Sequence, residues 1–311
     1  MEIIVEGPAV DAARLRAIEN GARALNTDVP VIYTDDFAGE VRRLTMEYSY
    51  TDDRGSGTVA ARTLTTTAGE VVVVANRKLL EERPPALTER VMAHECGHVL
   101  IARSGGEVIW SMVTDAEPDW WRRVLTYMTS NATDEHRAEA AVYKAGYPVE
   151  YDCTLNGIQG SLHHLDGAIL SALYDPASAD AGHLRDLVLA SMDRITKVIA
   201  CLAARHAHHS SFEASELLPG PRATWDELIA PQWELFLGYY RDVPSATEPW
   251  TGESALAHAL ATSHVTEALL RDVGFYSEGE DGAAFWVDLH DSTVRHRAER
   301  FAAEAERLGV K

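Results

Sequence analysis

Residues 94–98 read His94-Glu95-Cys96-Gly97-His98, two histidines four positions apart with a glutamate beside the first. On a helix this spacing puts both imidazoles on one face about 6 Å apart along the axis, where they can chelate one tetrahedral Zn²⁺. Glu95 projects about 100° round the helix, near enough to take a proton from a water at the metal without being a ligand itself. Its helical neighbours Val91, Met92 and Val99, with His98, form a mostly apolar surround that would raise its proton affinity toward the range of a general base. The plainer alternative is a pair of core histidines, since His94 and His98 share a stripe with Leu87, Val91 and Ile101. The mid-helix setting, the aliphatic flanks, Gly97 for close packing and a β-hairpin just before favour the metal reading.

Catalytic zinc usually takes three protein ligands, so one more is required. The continuation HExxHxxGxxH fails, because residue 101 is isoleucine and residue 104 is serine. A better source is the stretch from Thr133 to Val142, where Glu135 and Glu139 lie one helical turn apart on one face; either could complete the site. His163-His164, His206 and His208-His209 are weighed as a second metal site, but His206 falls in a helix's last turn, where the dipole favours an imidazolium. A histidine of the second half, Tyr127, Tyr143 or Tyr147 could stabilise an oxyanion, and the residues alone do not choose. Cys96 points away from both histidines and reads as a small buried hydrophobe.

The elements that must position these groups follow from periodicity. Val10 to Leu25 has helical spacing, and Met46, Tyr48 and Tyr50 alternate as a half-buried strand. Thr58–Thr66 and Glu70–Ala75 predict a hairpin, the run Val71–Val74 being buried on both faces or lying on a sheet's edge. Pro84-Pro85 opens the motif helix over residues 86–103, and Ser104-Gly105-Gly106 closes it. Residues 107–132 are irregular and rich in tryptophan. A helix is then expected from Thr133 as N-cap to near Gly146, before Pro148. From Asp152 on, strand signals nearly vanish and helices are expected at 157–174, 182–206, 223–241, 254–275 and 283–308, the third opened by a capping box of Thr224 and Glu227.

The order of Val71-Val72-Val73-Val74-Ala75-Asn76, the HExxH, then Glu135-x-x-Ala138 with Pro148 closing the helix resembles the ImmA/IrrE-type zinc metallopeptidases over residues 70–150. The resemblance implies that His94, His98 and Glu135 ligate Zn²⁺ and that Glu95 is the catalytic base. It also implies that the strand ending at Asn76 is the edge along which a peptide substrate lies, a role that suits an edge strand's unpaired N–H and C=O groups. The sequence departs from the family at Glu139, usually asparagine, at Ala141, usually phenylalanine, and at Cys96, commonly leucine. Glu139 then fits a partner of a ligand histidine.

The remaining composition sets limits. The chain has 311 residues, 46 % of them hydrophobic, enough for one core and room for two. A net charge of −20 disfavours nucleic acid and anionic lipid. No long apolar run predicts a membrane span, and the first residues lack a secretory signal's pattern. Three widely spaced cysteines, Cys96, Cys153 and Cys201, suit reduced thiols in a cytosol. The expectation is therefore a cytoplasmic α+β protein, with a zincin-like metallopeptidase domain over 1–150 and an all-helical domain over 151–311 that shapes or covers the cleft. Its partner would be a peptide or protein substrate. The alternatives are a zinc hydrolase of a small amide or peptide-like metabolite, and a non-catalytic zinc-stabilised interaction protein.

Overall fold

The computed structural model describes residues 2–52, 58–148, 154–174, 176–208, 212–278 and 284–288, and residues 295–297, 299–300, 302–303 and 306 near the C-terminus. The expected boundary near 150, Cys153 and His209 lie outside the described residues.

The first half alternates strand and helix: β1 (Ile3–Val5), α1 (Ala12–Arg23), β2 (Val31–Thr34), α2 (Phe37–Thr45), β3 (Ala61–Thr65) and β4 (Val71–Asn76). The sheet is mixed, in the order β1-β2-β4-β3, with β1, β2 and β4 parallel and β3 antiparallel to β4. The fold is thus α+β with a small mixed sheet, as expected.

One face of the sheet, through Val31, Tyr33, Ala61, Val73 and Ala75, packs on Ile18 and Ala22 of α1 and on Val91, Met92, Cys96 and Val99. The other face, through Leu64, Val72 and Val74, packs on Phe37, Val41 and Tyr50. Coverage on both sides explains the unbroken valine run. It also corrects the expected edge: β4 is interior, and the edge strand beside the motif helix is β3. The expected strand at 46–50 is absent. Met46 instead takes a left-handed conformation (φ 59°) that ends α2 and leaves its side chain exposed.

After the short α3 (Arg77–Glu81) comes α4 (Pro85–Ser104), which carries the motif. It has proline at its first position and Gly105 (φ 73°) at its C-cap, where the left-handed backbone suits glycine. Residues 107–132 correct the sequence reading, because they form α5 (Trp110–Ala116) and the first half of a single long α6 (Trp120–Lys144). The N-cap of α6 is Asp119, which accepts from the Arg122 amide, and not Thr133. Thr129 and Thr133 are absorbed into the helix by donating to the carbonyls four residues back, at 2.8 Å each.

The second half holds α7 (Leu155–Tyr174), α8 (Ala181–His208), α9 (Pro219–Thr224), α10 (Trp233–Arg241) and α11 (Gly252–Val273). The expected helix 223–241 is broken by a π-helical turn over Trp225–Ile229 and a 3₁₀ turn containing Pro231, whose nitrogen cannot donate. Thr224 is helical and donates its hydroxyl to Asp166, so the expected capping box does not form. Strands also return: β5 (Phe275–Glu278) and β6 (Ala284–Val287) form a hairpin where the last helix was expected to begin. Trp121, Leu125, Met128 and Ala132 of α6 join residues of these helices and of the hairpin in the largest hydrophobic core. Helix α6 therefore belongs to both halves. No described helix is long and apolar enough to cross a membrane.

Candidate metal centre

The site forms where α4 crosses α6. Gly97 makes the crossing close: a β-carbon there would lie 2.6 Å from the Ala138 α-carbon, inside van der Waals contact. Ala138 is one turn beyond Glu135, so this contact delivers the Glu135 carboxylate to the face of α4 that bears both histidines. Ile101, Ala138 and Ala141 seal the crossing on the next turn.

Three donor atoms converge. His94 Nε2 lies 3.0 Å from Glu135 Oε2 and 3.2 Å from His98 Nε2, and His98 Nε2 lies 3.6 Å from Glu135 Oε2. A tetrahedral Zn²⁺ with bonds of about 2.0–2.1 Å holds its donors roughly 3.3–3.4 Å apart, so the set fits that ion in donor type and in spacing. Among the described residues this is the one group of three histidine, cysteine or acidic side chains close enough to share a metal. His98 and Glu135 are each about a fifth exposed, at 22 % and 24 %, which leaves one side of the group open.

Within the group, Glu135 and His98 shift each other's proton affinity. Burial works to raise the Glu135 pKa, but hydrogen bonds and positive charge from His94 and His98 outweigh it and keep the carboxyl well below its usual range. Burial likewise works against a protonated His98, and the Glu135 hydrogen bond and charge overcome it.

The two candidate glutamates take different places. Glu139 is fully buried behind His94, its Oε1 3.7 Å from His94 Nδ1, and its other oxygen accepts from the buried Arg90 guanidinium. Arg90 is anchored in turn by its Nε, which donates to the Pro148 carbonyl at 2.6 Å. Glu135 thus faces both Nε2 atoms, whereas Glu139 stands on the ring's far side.

Glu95 is also buried and points to the sheet. Its Oε2 accepts from the Thr63 amide at 2.7 Å and lies 2.8 Å from the Thr63 hydroxyl, on the edge strand β3. Asp134 sits beside the centre, where burial pushes its carboxyl up to about 7 against the opposing charges of His98 and Arg137.

Several sequence candidates stand elsewhere. Tyr127 and Tyr143 are each eight residues from Glu135, about 12 Å along α6. Tyr127 packs edge-on against Trp110, and Tyr143 lies under Arg90. His163 and His164 are on α7, and His206 packs edge-on against Trp233. Cys96 is fully buried, donates to the carbonyls of Gly21 and Ala22, and burial pushes its thiol up to about 11.

Thr63, Arg90 and Asp134 were not singled out from sequence. Arg90 had a signal, since it precedes His94 by one turn in an otherwise apolar stripe. Thr63 had none, because its role depends on strand register. Compared with known proteins, the chain matches no family model, no curated protein and no solved structure.

Proposed function

We propose that the protein is a zinc-dependent metallopeptidase of the ImmA/IrrE-like kind, a cytoplasmic hydrolase acting on a peptide or protein substrate. The observation that carries this reading is the convergence of His94, His98 and Glu135 on one point, with spacings close to those a tetrahedral zinc would need, while Glu95, next to His94 in α4, is held on the edge strand β3. His94, His98 and Glu135 would hold the metal. Bound zinc would supply Lewis acidity toward a scissile carbonyl and a water molecule. Glu95 receives the proton that water gives up and passes it to the leaving amine, a role open to a glutamate that neighbours the ligands without being one. Glu139 holds the His94 ring from behind. The helices α4 and α2 pack on β3, and no helix after α6 shares a substantial interface with it among the described residues, which supports an extended chain as substrate.

Elemental analysis of purified protein is expected to give about one zinc per chain, lost in His94→Ala. Cleavage of a peptide library, read by mass spectrometry against chelated protein, is expected for the wild type. Glu95→Gln should retain zinc while turnover falls by orders of magnitude. Zinc without cleavage of any peptide would move the assignment to a small-amide hydrolase if Glu95→Gln abolishes the biological effect. It would move to a non-catalytic protein if that variant retains the effect.

A further inference from the structure

The edge strand of a sheet normally offers its outward N–H groups to solvent or to a partner. At the two ends of the β3–β4 pairing, the Asn76 amide donates to the Ala60 carbonyl and the Thr66 amide to the Glu70 carbonyl, so the backbone groups of the even-numbered positions of β3 face β4. Ala61, Thr63 and Thr65 therefore turn their backbone groups to the free edge. The central one is already committed. The Thr63 N–H and hydroxyl converge on the same oxygen, Oε2 of Glu95, at 2.7 and 2.8 Å, and the hydroxyl also lies 2.9 Å from the Glu95 carbonyl. Glu95 Oε1 takes part in none of the hydrogen bonds among the described residues.

We infer that Thr63 is a positioning residue for Glu95, the edge strand serving to fix which carboxylate oxygen faces the metal and in what orientation. The amide bond, with a hydroxyl whose one proton is shared between Oε2 and the Glu95 carbonyl, restricts rotation of the carboxylate about its terminal torsion, which is otherwise broad. Oε2 is held by the strand, and Oε1 is the oxygen left to accept a proton. This rests on the metallopeptidase reading, because it gives Glu95 a base's work to be positioned for.

The test does not need the natural substrate. Acetohydroxamic acid chelates an active-site metal through its two oxygens and gives up a proton to an adjacent base, and its binding to the cobalt-loaded protein can be followed by visible absorption. Glu95→Gln should weaken it. Thr63→Val, which keeps the shape and removes the hydroxyl, should weaken it about tenfold, the order of one hydrogen bond to a charged group. Thr63→Ser should restore binding to within about twofold of wild type. Adding Thr63→Val to Glu95→Gln should cost nothing more, since both act through one carboxylate. Cobalt stoichiometry should be unchanged throughout, and thermal unfolding checks that each variant is folded; Thr63→Ala takes the place of Thr63→Val if the latter is not. Wild-type acetohydroxamate binding in Thr63→Val, with Glu95→Gln impaired, overturns the role of Thr63 and leaves the metallopeptidase reading standing. Equal losses in Thr63→Ser and Thr63→Val assign the effect to packing and also overturn it. A wild-type protein that takes up neither cobalt nor zinc overturns the metal reading itself, and this inference with it.

Discussion

Behind His94 a buried arginine and a buried glutamate face each other, Arg90 2 % and Glu139 1 % exposed. Removing one partner of such a pair strands a charge away from water, so Arg90→Met should cost roughly 3–5 kcal/mol in denaturant unfolding. Replacing both, as Arg90→Met with Glu139→Leu, should recover much of that loss. The same pair separates the two glutamates by their effect on the metal. Under the proposed function, Glu139→Ala leaves all three donors in place, though it also strands Arg90, and should lower zinc affinity about 10- to 100-fold, whereas Glu135→Ala would remove a donor and should lower it further. Competition with a chelator of known affinity ranks the two, and the reverse ranking would place the ligand one turn along α6.

At the level of elements the site depends on one close crossing. Gly97→Ala would push a methyl group against Ala138, and the overpacking should cost about 1–3 kcal/mol in thermal or denaturant unfolding. It should also reduce zinc affinity, because α4 and α6 each carry part of the donor set. The motif helix was legible in sequence because its signals are local: a proline pair, a glycine stop, and histidines one turn apart. Glu135 was legible as a candidate for the same reason, while its place facing both imidazole Nε2 atoms, with Glu139 behind the His94 ring, depends on how α6 is rotated against α4, which periodicity does not encode. The start of α6 was misread at Thr133 because threonines and a serine dilute the helical pattern, and their bonds to preceding carbonyls exist only once the helix has formed. The edge expected at Asn76 comes from the family resemblance, and the valine run could not correct it, because it says that faces are covered and nothing about which neighbour lies on each side. Strands β1 and β2 are three and four residues long, too short for alternation to register.

For the molecule as a whole, proton binding couples to stability, and under the proposed function metal binding would do so too. A metal ion that binds only the folded site adds about 2.7 kcal/mol at a free concentration one hundred times its dissociation constant, so chelation should lower the melting temperature and zinc should restore it. Protons act through His136, which is 3 % exposed, has its Nδ1 3.1 Å from the Ala200 carbonyl and stacks on Tyr240. Burial pushes its pKa down to about 4 from 6.5. The unfolded chain therefore binds the proton more readily, and the stability this histidine contributes is complete above pH 6.5 and is lost as the pH falls toward 4. The loss should reach roughly 3 kcal/mol in acid unfolding, and His136→Gln should flatten that stretch of the profile. An unchanged slope would show that this ring is hydrated in the folded protein. Helix α6 is gripped from two sides where it carries Glu135: Ala138 meets Gly97 of α4, while His136, the residue after Glu135, meets the Ala200 carbonyl of α8 and the Tyr240 ring of α10. That turn is therefore a joint between the two halves, and a shift of α8 or α10 against α4 would reach the Glu135 carboxylate within a single turn of helix.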